Sequence, residues 1–174
     1  WIRRYEQART HDWSEMDQLA QWLTEQQPSV SHAALIHNDY KYDNVMLDPN
    51  HLPRIVAILD WEMATIGEPL MDLGASLAYW VERNDPPEIQ AMSMVPTNAE
   101  GAPTRAEVVE HYSAKSGVEV DDFSFYYCYG LFRLAVIVQQ IYYRAYHGQT
   151  EDPRFSHLNH WVGALASAAR AATG

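Results

Sequence analysis

The chain has 174 residues, 20% of them charged and 47% hydrophobic, a balance that fits one globular domain with a real core. Its net charge of -11 argues against nucleic acid as a partner, because a phosphate backbone requires a positive face. A single cysteine, Cys128, excludes an intramolecular disulfide and any paired-cysteine metal site, and its apolar setting reads as a buried structural thiol.

Residues 1 to 9 read as the end of a helix. His11-Asp12-Trp13-Ser14 offers a cap for a second helix, in which Met16, Leu19, Ala20, Trp22 and Leu23 recur at helical spacing until Pro28 stops it. Ala33 to Ile36 is a short apolar run that enters a polar loop. Val45-Met46-Leu47 and Ile55 to Leu59 read as short strands joined by a turn at Asp48-Pro49-Asn50. Asp72 is placed to cap a helix running to about Val81. Residues 83 to 103 read as a loop, and Thr104 with Glu107 forms the capping-box pattern of a helix reaching about Lys115. A long apolar helix starts at Asp121 or Asp122 and ends at Gly148, and a last helix spans about Arg154 to Ala172. The stretch from Phe123 to Ile141 contains Arg133, Gln139 and Gln140, so it reads as a core helix and not a membrane span. No signal peptide is visible, and the expected location is the cytoplasm. The fold class is α+β, mainly helical, as a single domain over residues 1 to 174.

The chemistry concentrates in His37-Asn38-Asp39-Tyr40-Lys41-Tyr42-Asp43-Asn44, with Asp60-Trp61-Glu62 beginning sixteen residues after Asn44. Phosphoryl transfer needs a carboxylate to orient and deprotonate a hydroxyl, and an amide oxygen plus a second carboxylate to hold magnesium on nucleotide phosphates. Asp39, Asn44 and Asp60 have the types and the order for those three tasks. A solvated loop Asp, a turn Asn and a strand-end Asp are the plain readings of each residue alone. His111, His147, His157 and His160 have no ligand spacing with a carboxylate and read as ordinary surface or core residues.

These residues resemble the aminoglycoside phosphotransferase and choline kinase-like family, whose fold is that of the protein kinases. Leu35 to Tyr40 with Asn44 to Asp48 is similar to its catalytic loop, and Ile58 to Glu62 to its metal-binding segment. Gly67-Glu68-Pro69-Leu70-Met71-Asp72-Leu73 is similar to the run that follows, and Tyr129 to Ala135 also fits. The branch it most resembles includes members fused to acyl-CoA dehydrogenase domains. The resemblance implies a magnesium- and ATP-dependent phosphotransferase, or one using another nucleoside triphosphate, acting on a small-molecule hydroxyl. Asp39 is then the base and Asn44 and Asp60 hold magnesium, with Glu62 a candidate for a second ion. His37 orders the loop, and Lys41 either faces the transferred phosphate or lies solvated. Asp72 braces the catalytic loop through its backbone, and Trp61 packs. Asn38 stands where the family more often has glycine.

A kinase also needs a glycine-rich loop and a strand lysine over the phosphates. No glycine precedes Gly67 and no lysine precedes Lys41. The expectation is a C-terminal lobe, with the N-terminal nucleotide lobe as the partner it lacks and little activity alone. Apolar surface is then expected along Trp1 to Ala8 and Ile36, with self-association as a consequence. The acceptor pocket is expected between the loop of residues 83 to 103 and the Tyr-rich helix. The alternatives are a pseudokinase-like binding module and a metal-dependent hydrolase using His37, Asp39 and Asp60.

Overall fold

The computed structural model describes residues 1–29 and 32–173. In chain order these form α1 (Ile2–Ala8), α2 (Ser14–Glu25), β1 (Ala34–Ile36), β2 (Val45–Leu47), β3 (Ile55–Ile58) and β4 (Thr65–Gly67). They continue with α3 (Pro69–Leu77), α4 (Pro87–Gln90), α5 (Arg105–Ser116), α6 (Ser124–Tyr146) and α7 (Asn159–Ala171). The fold is α+β and mainly helical. Among the described residues no helix is long and apolar enough to cross a membrane.

The helices share one core. Tyr5 of α1, Met16 and Leu19 of α2, Leu131 and Phe132 of α6 and Leu165 of α7 are all at most 1% exposed. Burial of such side chains, worth roughly 1.5–3 kcal/mol each, holds these helices more than local propensity does. α3 and α6 pack closely against each other. A Cβ on Gly130 would lie 2.0 Å from the Gly74 carbonyl oxygen, and one on Gly74 would lie 2.1 Å from the Tyr126 oxygen. Two bare backbones therefore touch where a side chain on either would force the helices apart. Cys128 lies in this core with its Sγ 3.2 Å from the Ala169 carbonyl oxygen, and burial pushes the thiol up to about 12. It stays a neutral packing group.

The strands form two antiparallel ribbons, β1 with β4 and β2 with β3. The second is registered Val45 to Ile58 and Met46 to Ala57, with an irregularity before Leu47.

Several boundaries differ from the expectations. The start of α2 has no side-chain cap, because Asp12 pairs with Arg9 instead. Asp72 does not cap α3; Glu68 precedes the helix, Pro69 opens it, and Asp72 lies in its first turn. The helix stops at Leu77, short of Val81. The segment of residues 83 to 103 contains α4 and is tied down throughout. Thr97 Oγ1 hydrogen bonds both the N–H and the carbonyl of Val81, and Arg105 holds the Trp80 carbonyl and the Asp85 carboxylate. The last helix starts five residues late, at Asn159, because Pro153–Phe155 forms a separate turn capped by Asp152.

The expected apolar surface is also misplaced. Tyr5, Ala8 and Ile36 are buried. Exposed large apolar side chains lie instead along the ribbons and the loops beside them, among them Leu35, Met46, Val56, Leu59 and Ile66. The N-terminal helix packs on α6, whereas these strand side chains stay exposed.

Candidate active site

The polar loop between β1 and β2 is fixed from three directions. From α3, the Asp72 carboxylate accepts the backbone N–H groups of His37 and Asn38, each at 2.7 Å. Its place in the first helical turn also sets the negative charge near the positive end of the helix dipole. From α6, the buried Arg133 guanidinium donates to the Asn38 carbonyl. From the segment after β3, the Met63 carbonyl accepts the Asn38 side-chain amide at 3.0 Å. Asn38 is thus held at its N–H, its carbonyl and its side chain.

This explains its backbone. Asn38 (φ 65°) and Asp60 (φ 62°) are the non-glycine residues with positive φ among the described residues. Such a conformation costs free energy and persists where the surroundings over-determine it. Asn and Asp tolerate it better than most residues. At position 38 the Asn side chain also contributes the bond to Met63, which glycine cannot make.

His37 is buried and both ring nitrogens are engaged. Nε2 lies 2.7 Å from the Leu59 carbonyl and Nδ1 accepts the Asp39 N–H at 3.2 Å. That pattern requires the neutral ring with its hydrogen on Nε2. His37 therefore couples the loop of Asp39 to the residue before Asp60, and has no nitrogen left to move a proton. The Trp61 ring lies 4.7 Å from the His37 ring and its indole N–H donates to the Ile58 carbonyl.

Asp39 is held through one oxygen. Its Oδ2 receives the Asn44 amide at 3.1 Å and the Lys41 ammonium at 2.9 Å. Oδ1 has no hydrogen bond from any described residue, and the side chain keeps 17% exposure, so that oxygen is open to a ligand. Lys41 also lies 5.3 Å over the Tyr79 ring. Burial works to lower the Lys41 pKa, but the Asp39 hydrogen bond and the charges of Tyr79, Asp39 and Asp43 outweigh it and raise it above the ordinary lysine range. The Tyr79 hydroxyl is also raised, first by burial, so both groups keep their protons at neutral pH.

Asn44 is buried, and its amide nitrogen is committed to the Asp39 carbonyl and carboxylate. Its oxygen has no hydrogen bond from any described residue. The Asn44 backbone carbonyl accepts the Leu59 N–H at 2.8 Å, which brings Asp60 to the same end of the β2–β3 ribbon. Asp60 is exposed and its carboxylate has no hydrogen bond or ion pair among the described residues. A free amide oxygen and a free carboxylate are the donors a hard cation such as magnesium takes. The residues fit that ion. Among the described residues no three His, Cys, Asp or Glu converge on one point, so other oxygens would complete the shell. Glu62 lines a cavity of about 570 Å³ with Asn38 and Met63.

The expected pocket between the segment of residues 83 to 103 and the Tyr-rich helix divides in two. Met94 and Val95 of that segment line a cavity of about 620 Å³ beside Lys41 and Tyr42. Phe125, Tyr126 and Tyr129 of α6 line the cavity that holds Glu62. Arg133 and Tyr79 are the positions the sequence reading passed over. A lone arginine inside an apolar helix was the available signal, since buried charges need a partner.

A profile of the phosphotransferase enzyme family matches residues 1–106. Acyl-CoA dehydrogenase family member 11 of Mus musculus is 35% identical over 148 residues, covering 83% of this chain and 19% of that protein. Member 10 of the same organism is 32% identical over 154 residues, covering 87% of this chain and 14% of that one. A solved chain from Ralstonia eutropha, provisionally assigned as an aminoglycoside phosphotransferase, superposes with a TM-score of 0.80 at 26% identity. That match covers 98% of this chain and 53% of the other. The chain thus spans less than a fifth of these curated relatives and about half of that solved chain.

Proposed function

The chain belongs to the phosphotransferase enzyme family, and from that premise we propose that it is the C-terminal lobe of a kinase that transfers the γ-phosphoryl group of a magnesium nucleotide to a small-molecule hydroxyl. The observation that carries this reading is the asymmetry of Asp39: one carboxylate oxygen is pinned by Asn44 and Lys41, and the other is open.

The open oxygen of Asp39 accepts the hydrogen of the acceptor hydroxyl and orients it. As the acceptor oxygen bonds to the γ-phosphorus, the bond from phosphorus to the β,γ-bridging oxygen breaks, the nucleoside diphosphate leaves, and the acceptor proton passes to Asp39. Lys41 keeps Asp39 in place and carries positive charge beside the transferred group. Asn44 and Asp60 would hold magnesium, which supplies positive charge to the phosphate oxygens. Asp72, Arg133 and His37 keep the loop from relaxing out of its left-handed turn. ATP is the nucleotide of this reading, and the cytoplasm its setting.

The remainder of the catalytic parts, a covering loop and a phosphate lysine, belong in this proposal to a nucleotide lobe elsewhere in the whole protein. The exposed apolar face of Met46 and Val56 suits such a covering. A binding module without catalysis needs none of the open oxygens at Asp39, Asn44 and Asp60. The hydrolase reading calls for three protein ligands on one ion, and no such cluster lies among the described residues.

The test is Asp39→Asn in the full-length protein, assayed with magnesium-ATP against a panel of hydroxyl compounds. Turnover should fall by about 10²–10⁴-fold, with nucleotide affinity nearly unchanged. Wild-type turnover in that variant would overturn the assignment.

A further inference from the structure

The cavity of about 620 Å³ falls in the size range of small-molecule sites and touches the reactive loop. One wall is that loop, from Tyr40 to Asp43, with the Lys41 ammonium 2.9 Å from Asp39. Another is the inner face of the β2–β3 ribbon, where Leu47 is 41% and Ile55 45% exposed. Met94, 72% exposed, also lines it, on a segment hydrogen bonded to Val81 through Thr97 and to Arg105 through Asp85.

The charges on these walls are almost entirely committed. Two carboxylates line the cavity, Asp43 and Asp72, and Asp72 is consumed by the loop N–H groups. Lys41 is ion-paired with Asp39. The Ser76 hydroxyl donates to its own helix. A polycationic acceptor would find one free carboxylate there, and a polyhydroxylated one would find chiefly tyrosine hydroxyls. An apolar body would instead cover leucine, isoleucine and methionine side chains that water now wets.

We propose that this cavity seats the acceptor and that the acceptor is an alcohol with an apolar body, its hydroxyl directed past Lys41 to Asp39 and its chain lying between Leu47, Ile55 and Met94. This rests on the phosphotransferase reading above, which it deepens. The transfer balances as written there, with the acceptor proton ending on Asp39.

The experiment uses the full-length protein and the straight-chain alcohols from 1-butanol to 1-octanol. Binding is followed by ligand-observed NMR, and phosphoryl transfer from magnesium-ATP to the same alcohols is measured separately. Affinity should rise about fourfold per added methylene until the cavity is filled. Leu47→Asp and Met94→Glu alter exposed positions, so both should fold, which their melting curves check, and both should flatten that rise. An affinity independent of chain length, a rise untouched by both variants, or tighter binding of a polyamine than of 1-octanol would overturn the inference. Transfer to polar polyols alone, with no chain-length dependence, would overturn it while leaving the kinase reading intact. A chain-length dependence with no transfer to any hydroxyl compound would overturn the kinase reading and the acceptor role with it.

Discussion

The helical half and the ribbon half of this molecule are built from equally apolar residues, and only one of them is closed. Around α6, Tyr5, Phe132, Leu131 and Leu165 are buried to within 1% of exposure, and two glycines let backbones touch. In the ribbons, Met46, Val56 and Ile58 are as apolar but stay between 38% and 50% exposed. The helical half is closed by burial; the ribbon half leaves its apolar side chains exposed. Between them runs the loop of Asp39, anchored on the closed side by Asp72 and Arg133 and open on the other at Asp39, Asn44 and Asp60.

Mutations should respond to that division. Gly130→Val forces a Cβ against the Gly74 carbonyl where no rotamer relieves it, and should cost at least about 4 kcal/mol or block folding, read by denaturant titration. A mild effect would mean the crossing is looser than described. Asp72→Ala strips two charge-assisted hydrogen bonds from the loop and should cost about 3 kcal/mol, with turnover of the full-length protein falling as well. Stability lost without any change in turnover would separate the brace from the site.

Thr104→Ala removes the cap of α5 and should lower the melting temperature by a few degrees. The partner Glu107 has its pKa lowered, first by the Thr104 backbone hydrogen bond and then by its side chain. A depressed carboxyl pKa stabilises the fold above the ordinary glutamate value, and that contribution is lost as pH falls through the lowered value. The gap between wild type and Glu107→Gln should therefore close under acid. The smallest effect is expected in the ribbon: Val56→Thr, half exposed, should move the stability of this chain by no more than about 0.5 kcal/mol. A loss above about 2 kcal/mol would show that the ribbon is already covered.

Much of this was legible in the sequence. The capping box at Thr104, the long apolar helix and the strands on either side of Asp48 follow from local pattern, and local pattern is where those elements get their definition. The strand β4 was not legible, because Thr65-Ile66-Gly67 is three residues long and exists only through its pairing with β1. Asp72 reads as a cap in sequence because an acid near a helix start usually is one; here the loop competes for its carboxylate. The spacing of Asp39, Asn44 and Asp60 located the loop and the ribbon end, but not that Asp39 is held through a single oxygen. Arg133 lies 95 residues from Asn38 in the chain, and no local rule reaches that far. The apolar surface was placed on the wrong flank because periodicity identifies an apolar residue without saying which neighbour covers it.

The left-handed backbone at Asp60 narrows the alphabet available there. Glutamate would keep the negative charge but suits a φ of 62° less well. Asparagine and glycine suit the dihedral but surrender the charge. No single replacement preserves both, so position 60 has no neutral neighbour in sequence space. Under the magnesium role proposed for Asp60, even the mildest exchange there should register either as weaker cation binding or as a disturbed turn, and which of the two appears tells an experimenter which constraint was broken.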